Sequence, residues 1–128
     1  DGMAEDLRCP TVDGEVAAVF LKRRPLRSRF ANANAEVREL DPRTALSEAE
    51  RTLIHAFCRE FGLEWGGVDV LREKSTGEIW IVDANKTDMG PPTALPLSRK
   101  LASARRIGAR LRAYCQRRLE TARGVPAP

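Results

Sequence analysis

One histidine, one tyrosine and two tryptophans leave this 128-residue chain with little aromatic or imidazole chemistry. Trp65, Trp80 and Tyr114 are scattered, which excludes a base-stacking platform and leaves them as packing residues. The lone histidine, His55, lies beside an apolar helical stripe and reads as structural or exposed. The three cysteines, Cys9, Cys58 and Cys115, are far apart and form no CxxC pair. Zinc and thioredoxin-like chemistry therefore have no support, and reduced thiols in a cytoplasmic protein are expected. The longest strongly apolar run, Val16 to Leu21, is far too short to span a bilayer. No charged segment followed by an apolar one opens the chain, so no secretory leader is expected. From the opening Asp1-Gly2-Met3, the expectation is that residues have been removed or that this is the back part of a longer protein.

What is present is the composition of a folded domain: 42% hydrophobic and 31% charged residues. The length suits one domain and excludes two. The net charge of +4 is unevenly placed. Residues 97–128 hold nine Arg/Lys and one acid, whereas residues 1–96 hold thirteen Arg/Lys and seventeen acids. Basicity is thus a property of the C-terminal segment.

The pattern predicts an α+β fold, with two antiparallel hairpins in one sheet and two packed helices. Residues 5–23 read as a hairpin about Asp13-Gly14, a pair that favours a type I′ turn. Pro10 marks the first strand as an edge or as broken. Lys22 to Asn34 carries five cations, has no acid and follows no period, so a loop is expected. Ala35 to Leu40 reads as a short strand. Ser47-Glu48-Ala49-Glu50 is a capping box opening a helix. Leu53, Ile54, Phe57, Cys58 and Phe61 form its stripe, and Gly62 ends it. Gly67–Arg72 and Glu78–Asp83 form a second hairpin about Ser75-Thr76-Gly77. A long helix from Leu97 to Ala122 carries an apolar stripe of Leu101, Ala104, Leu111, Tyr114, Cys115 and Leu119. Residues 1–123 are expected as one unit and 124–128 as a disordered tail.

The second hairpin carries the chemistry. The register with Lys74 opposite Glu78 sets Asp69 opposite Asp83, with Cβ atoms about 5 Å apart. Asn85, two residues further, shares their face. Two carboxylates and an amide oxygen, with no strand-borne cation expected nearby, form a donor set for Mg²⁺. The competing reading places Asp69 and Asp83 as solvated residues in another register.

Gly67-Val68-Asp69-Val70-Leu71-Arg72, then Ile81-Val82-Asp83-Ala84-Asn85 and a Gly-Pro loop, resemble the C-terminal part of an ATP-grasp domain. Asp6-Leu7-Arg8-Cys9, its hairpin and the basic segment with Asn32 and Asn34 resemble the same fold. The nearest pattern is the ribosomal-protein glutamate ligase branch, and the resemblance covers about residues 5–115. It implies Asp69, Asp83 and Asn85 as ligands of Mg²⁺ or Mn²⁺, with Asp83 where many members have Glu. It implies Arg8, Arg27 and Arg29 in catalysis, and Lys22, Asn32 and Asn34 in ATP binding. It further implies an ATP-dependent ligase joining a carboxylate to an amine through an acyl phosphate. The front subdomain that would complete the ATP site is missing from the chain, so the chain alone is expected to be inactive. Two other readings stand beside it. One is a non-catalytic relic of the fold. The other is a binding module using the basic helix against nucleic acid or acidic lipid, although a solvated basic face is the simpler account of those arginines, and no nucleic-acid partner is expected.

Overall fold

A computed structural model describes residues 2–28, 36–87 and 90–124. The fold is α+β, with the strands in one open antiparallel sheet. The strands are β1 (Met3–Val12), β2 (Glu15–Val16), β3 (Val19–Pro25), β4 (Glu36–Leu40), β5 (Trp65–Arg72) and β6 (Ile79–Asn85). Their order is β4-β3-β1-β5-β6, and β2 pairs with β1. A short 3-10 helix, Leu26–Ser28, follows β3. The helices are α1 (Pro42–Ala45), α2 (Glu48–Phe61) and α3 (Leu97–Ala122).

The first hairpin turns at Asp13 and Gly14, both with positive φ, as a type I′ turn requires. β1 is nevertheless the central strand, not an edge. Pro10 is accommodated where β1 changes neighbour, pairing with β3 over residues 3–8 and with β2 over 11–12. Its missing N–H faces the break at Ala17–Ala18, and its carbonyl accepts from the Ala17 amide at 2.8 Å. No ladder bond is lost there.

The expected loop from Lys22 is also corrected. Lys22, Arg23, Arg24 and Pro25 complete β3, and residues 29–35 lie outside the described residues. The acids that balance these cations are on neighbouring strands. Arg23 pairs with Glu5 of β1 and Glu36 of β4, while Arg24 pairs with Asp6 of β1. The segment itself contains no acid.

Strand alternation gives the sheet two different faces. Leu7, Cys9, Val19, Val68 and Val70 point to one side and pack with Ile54, Cys58, Leu46 and Leu63. The capping box at Ser47 and Glu50 and the left-handed Gly62 bound α2 as expected. Of its expected stripe, Ile54 and Cys58 are fully buried, while Leu53 and Phe61 are half exposed. On the opposite side Val12, Ala18 and Phe20 pack with Leu95, Ile107 and Tyr114. α3 therefore covers part of this face. Its buried positions are Ser103, Ile107 and Tyr114. Of the expected stripe, Tyr114 is buried and Leu111 packs partly buried against the same cluster, while Leu101 and Leu119 face outward. Arg106, Arg117 and Arg118 reach Glu39, Asp13 and Glu64, which explains the rotation: the acids lie on the sheet side. The residues expected as a disordered tail lie, from Val125 onward, outside the described residues. Among those described, no helix is long and apolar enough to cross a membrane.

Arg72, at the end of β5, pairs with Glu50 and donates to the carbonyls of Gly77 and Ala45. It ties α1, the start of α2 and the second hairpin together. The hydrogen bond from Arg72 holds the Glu50 carboxyl below its ordinary 4.5. A depressed carboxyl contributes stability above its unfolded value and loses it as pH falls through the folded value. The melting temperature of wild type should therefore exceed that of Glu50→Gln at pH 7, and the difference should shrink as pH is lowered from 4.5 towards 3.

Burial, with a smaller effect from the Asp69 charge, pushes the Cys9 thiol up to about 12, and burial also raises Cys58. Only Cys115 is exposed. A thiol-reactive disulfide reagent should therefore titrate one cysteine of the three in native protein and all three in denaturant.

Candidate functional site

The second hairpin brings two carboxylates and an amide to one face by an unexpected route. Its loop is closed between Glu73 and Glu78, with Glu73 N–H donating to the Glu78 carbonyl at 2.8 Å. Lys74 therefore does not face Glu78. Near the loop Arg72 pairs with Ile79, Leu71 with Trp80 and Val70 with Ile81. An irregularity follows, Val82 is left over as a bulge, and Asp69 is opposite Asp83. Without the extra residue, Asp83 would continue the alternation of Ile79 and Ile81 and point under α2. With it, Ala84 packs in the α2 core, and Asp83 and Asn85 turn to the face of Asp69. The pairing expected from the sequence is present, but the bulge creates it.

Gly66 fixes where β6 ends. A Cβ at this position would lie 2.1 Å from the Asn85 carbonyl oxygen and 2.8 Å from Leu63 Cδ1. Only glycine lets the end of β6 approach β5 so closely. Asn85 Oδ1 accepts from the Thr87 amide at 3.1 Å and from its hydroxyl at 3.0 Å, holding the amide at the strand end.

Asp69 is not free of strand-borne cations, contrary to the expectation from sequence. Lys22 Nζ lies 2.6 Å from Asp6 Oδ2 and 3.3 Å from Asp69 Oδ1, and its side chain is 9% exposed. Arg8 Nη1 lies 3.7 Å from Asp69 Oδ2. Arg24 Nη2 lies 2.8 Å from Asp6 Oδ1. The reason is register: Asp6 is opposite Lys22, and Arg8 is opposite Asp69. Lys22 of β3 thus bridges two carboxylates, Asp6 on the adjacent β1 and Asp69 on β5 beyond it. Asp83 is exposed and makes no ion pair among the described residues.

Of the residues singled out in sequence, Arg8, Lys22, Asp69, Asp83 and Asn85 are brought to one face. Arg27 is exposed in the 3-10 helix beyond β3. Arg29, Asn32 and Asn34 lie outside the described residues. Sequence reading missed Asp6, Arg24, Gly66 and the bulge at Val82. Asp6 was within reach, because it alternates with Arg8 and shares its face. Beside the cluster, Leu71, Trp80 and Val82 form an exposed apolar strip, with Trp80 60% accessible.

The donor chemistry suits a hard cation, with two carboxylates and one amide on a common face and Asp83 without a cationic partner among the described residues. Among the described residues no group of three His, Cys, Asp or Glu side chains could hold a metal ion. The set therefore depends on Asn85 and on oxygens brought by a ligand. Comparison with family models, curated proteins and solved structures finds no match for this chain.

Removing Lys22 leaves Asp6 and Asp69 facing each other with less compensation. Lys22→Met should destabilise the domain by about 2–4 kcal/mol in urea unfolding. Adding Asp69→Asn should recover part of that loss, revealing coupling of about 0.5 kcal/mol or more. Arg27→Ala, at an exposed position, should change stability by no more than about 0.5 kcal/mol.

Proposed function

We propose that this chain is the metal- and substrate-binding half of an ATP-dependent ligase of the ATP-grasp type, joining a carboxylate to an amine. The observation that carries the reading is the bulged register that turns Asp83 and Asn85 to the face of Asp69, beside Arg8 and Lys22. A sheet built only for stability gains nothing from opposing two carboxylates. Asp69, Asp83 and Asn85 would hold Mg²⁺ or Mn²⁺. When bound, that ion would neutralise the oxygens of a nucleotide polyphosphate.

The other roles follow from what each residue touches. Lys22 neutralises Asp69 and Asp6 and sets the direction of Asp69. Arg8 offers a guanidinium on the same face for a phosphate or a substrate carboxylate, which it can bind with charge-assisted hydrogen bonds. Arg27 is exposed near the end of β3, and Arg29, Asn32 and Asn34 follow it in the chain. In the proposed reaction the substrate carboxylate takes the γ-phosphoryl group of ATP. The amine then displaces phosphate from the acyl phosphate. The protein's part is to hold these anions together and offset their charge. The uncovered strip of Leu71, Trp80 and Val82 beside the cluster favours closure by a second, front subdomain.

The reading is tested by titrating the 128-residue chain with Mn²⁺, with and without ATP, by electron paramagnetic resonance. Weak Mn²⁺ binding, strengthened by ATP, is expected. Asp83→Asn should weaken it by roughly tenfold or more, about 1.4 kcal/mol. Its melting temperature should stay close to that of wild type, because Asp83 is exposed and has no cationic partner among the described residues. Equal Mn²⁺ affinity in wild type and Asp83→Asn would sink the proposal.

A further inference from the structure

α3 has a second apolar face that nothing in the described residues covers. Ser103, Ile107 and Tyr114 dock on the sheet. Rotated roughly 100° from them, at 100° per residue, lie Leu97, Leu101, Ala104, Gly108, Cys115 and Leu119. Their spacings of three, four and seven residues are those of a helix-packing seam. Leu97, Leu101 and Leu119 are 70%, 50% and 56% exposed, and Cys115 is exposed too. The seam runs about 33 Å along the helix.

Two details give the seam a purpose beyond chance exposure. Gly108 costs helix stability of about 1 kcal/mol relative to alanine. A Cβ there would meet nothing within 4 Å, so the domain itself does not require glycine. With Ala104 one turn before it, Gly108 makes a shallow centre between larger leucines at both ends. Such a centre admits the backbone of another helix.

The second detail is charge. Arg105 and Arg112 flank the seam on the side away from the sheet, and both are exposed. Neither has an ion pair or hydrogen-bonding side-chain partner among the described residues. Arg106, Arg117 and Arg118, by contrast, are matched by acids of the domain. The only acid on α3 is Glu120, which lies on a different side of the helix. A second copy of α3 would therefore set arginine against arginine. An anionic lipid surface would match the charge, but it would gain little from the alanine, glycine and cysteine in the middle of the strip.

We propose that the Leu97–Leu119 face of α3 is a docking surface for an amphipathic helix of a partner protein, whose apolar stripe is flanked by Asp or Glu. The partner's large apolar side chains fill the hollow at Ala104 and Gly108, and its carboxylates meet Arg105 and Arg112. This surface is independent of the charge cluster on the β5–β6 hairpin.

The test uses two labelled 28-residue helical peptides with the same leucine stripe, one flanked by glutamate and one by lysine, with binding read by fluorescence anisotropy. The 128-residue chain should bind the glutamate peptide saturably and the lysine peptide at least about tenfold more weakly, equivalent to ~1.4 kcal/mol. Arg105→Glu with Arg112→Glu should reverse that preference. Gly108→Gln, which has room in the isolated fold, should weaken the glutamate peptide by a similar factor while circular dichroism and melting temperature remain native. Absence of saturable binding would overturn the proposal, as would equal affinity for the two peptides or insensitivity to Gly108→Gln. Stronger retention on phosphatidylglycerol vesicles would assign the face to lipid instead. Concentration-dependent dimerisation abolished by Gly108→Gln would assign it to self-association, and both results overturn the partner-helix reading.

Discussion

The two-residue period of the pleat, held in phase across β1, β3 and β5, determines what each side of the sheet becomes. Leu7, Cys9, Val19, Leu21, Val68 and Val70 fall on one side and form the core under α2. Asp6, Arg8, Lys22, Arg24 and Asp69 fall on the other. The charges share a face because neighbouring strands are in register, with Asp6 opposite Lys22 and Arg8 opposite Asp69. A one-residue slip of any of these strands would drive charge into the core and apolar side chains out of it, so core packing and the charge network fix the same alignment.

β6 departs from that period, and the departure places the candidate site. Ile79 and Ile81 pack towards α2, Val82 is extra, and Ala84 resumes the core face. Asp83 and Asn85 are thereby added to the opposite face at the edge of the sheet. The bulge costs one regular pair and avoids burying a carboxylate beneath α2, which would be much more costly. Gly66 then permits the end of β6 to close on β5. The charge network sets a balance on this face: Lys22 and Arg8 offset Asp69, while Asp83 has no cationic partner among the described residues. A cation attracted to the exposed end of this array meets one free carboxylate and one already shared.

α3 applies the same logic on a larger scale. Two of its faces are apolar enough to pack, and the helix can present only one of them to the sheet. Ile107 and Tyr114 win because they meet Phe20, Val12 and Ala18, and because the arginines beside them then reach Glu39, Asp13 and Glu64. The alternative face, with Leu101, Gly108 and Cys115, is flanked by Arg105 and Arg112, which pair with no acid among the described residues. Its exposure is a consequence of charge placement as much as of apolar area.

Local chemistry made several features readable from the chain itself. The Asp13-Gly14 turn, the Ser47–Glu50 capping box, the Gly62 stop and the extent of α3 each depend on residues adjacent in sequence. The pairing of Asp69 with Asp83 was legible because a hairpin is short, although the two compensating shifts within it were not. Decisions between distant segments belonged to the tertiary structure. Pro10 pointed to an edge or a break, and only the gap between β2 and β3 decided where its missing N–H lies. Lys22, Arg23 and Arg24 looked unbalanced because their acids lie on β1, β4 and β5. The docked face of α3 followed from contacts with the sheet that helical periodicity alone does not contain. In each case, the chain specified which side chains could pair, and only the packed fold determined which of them came within reach.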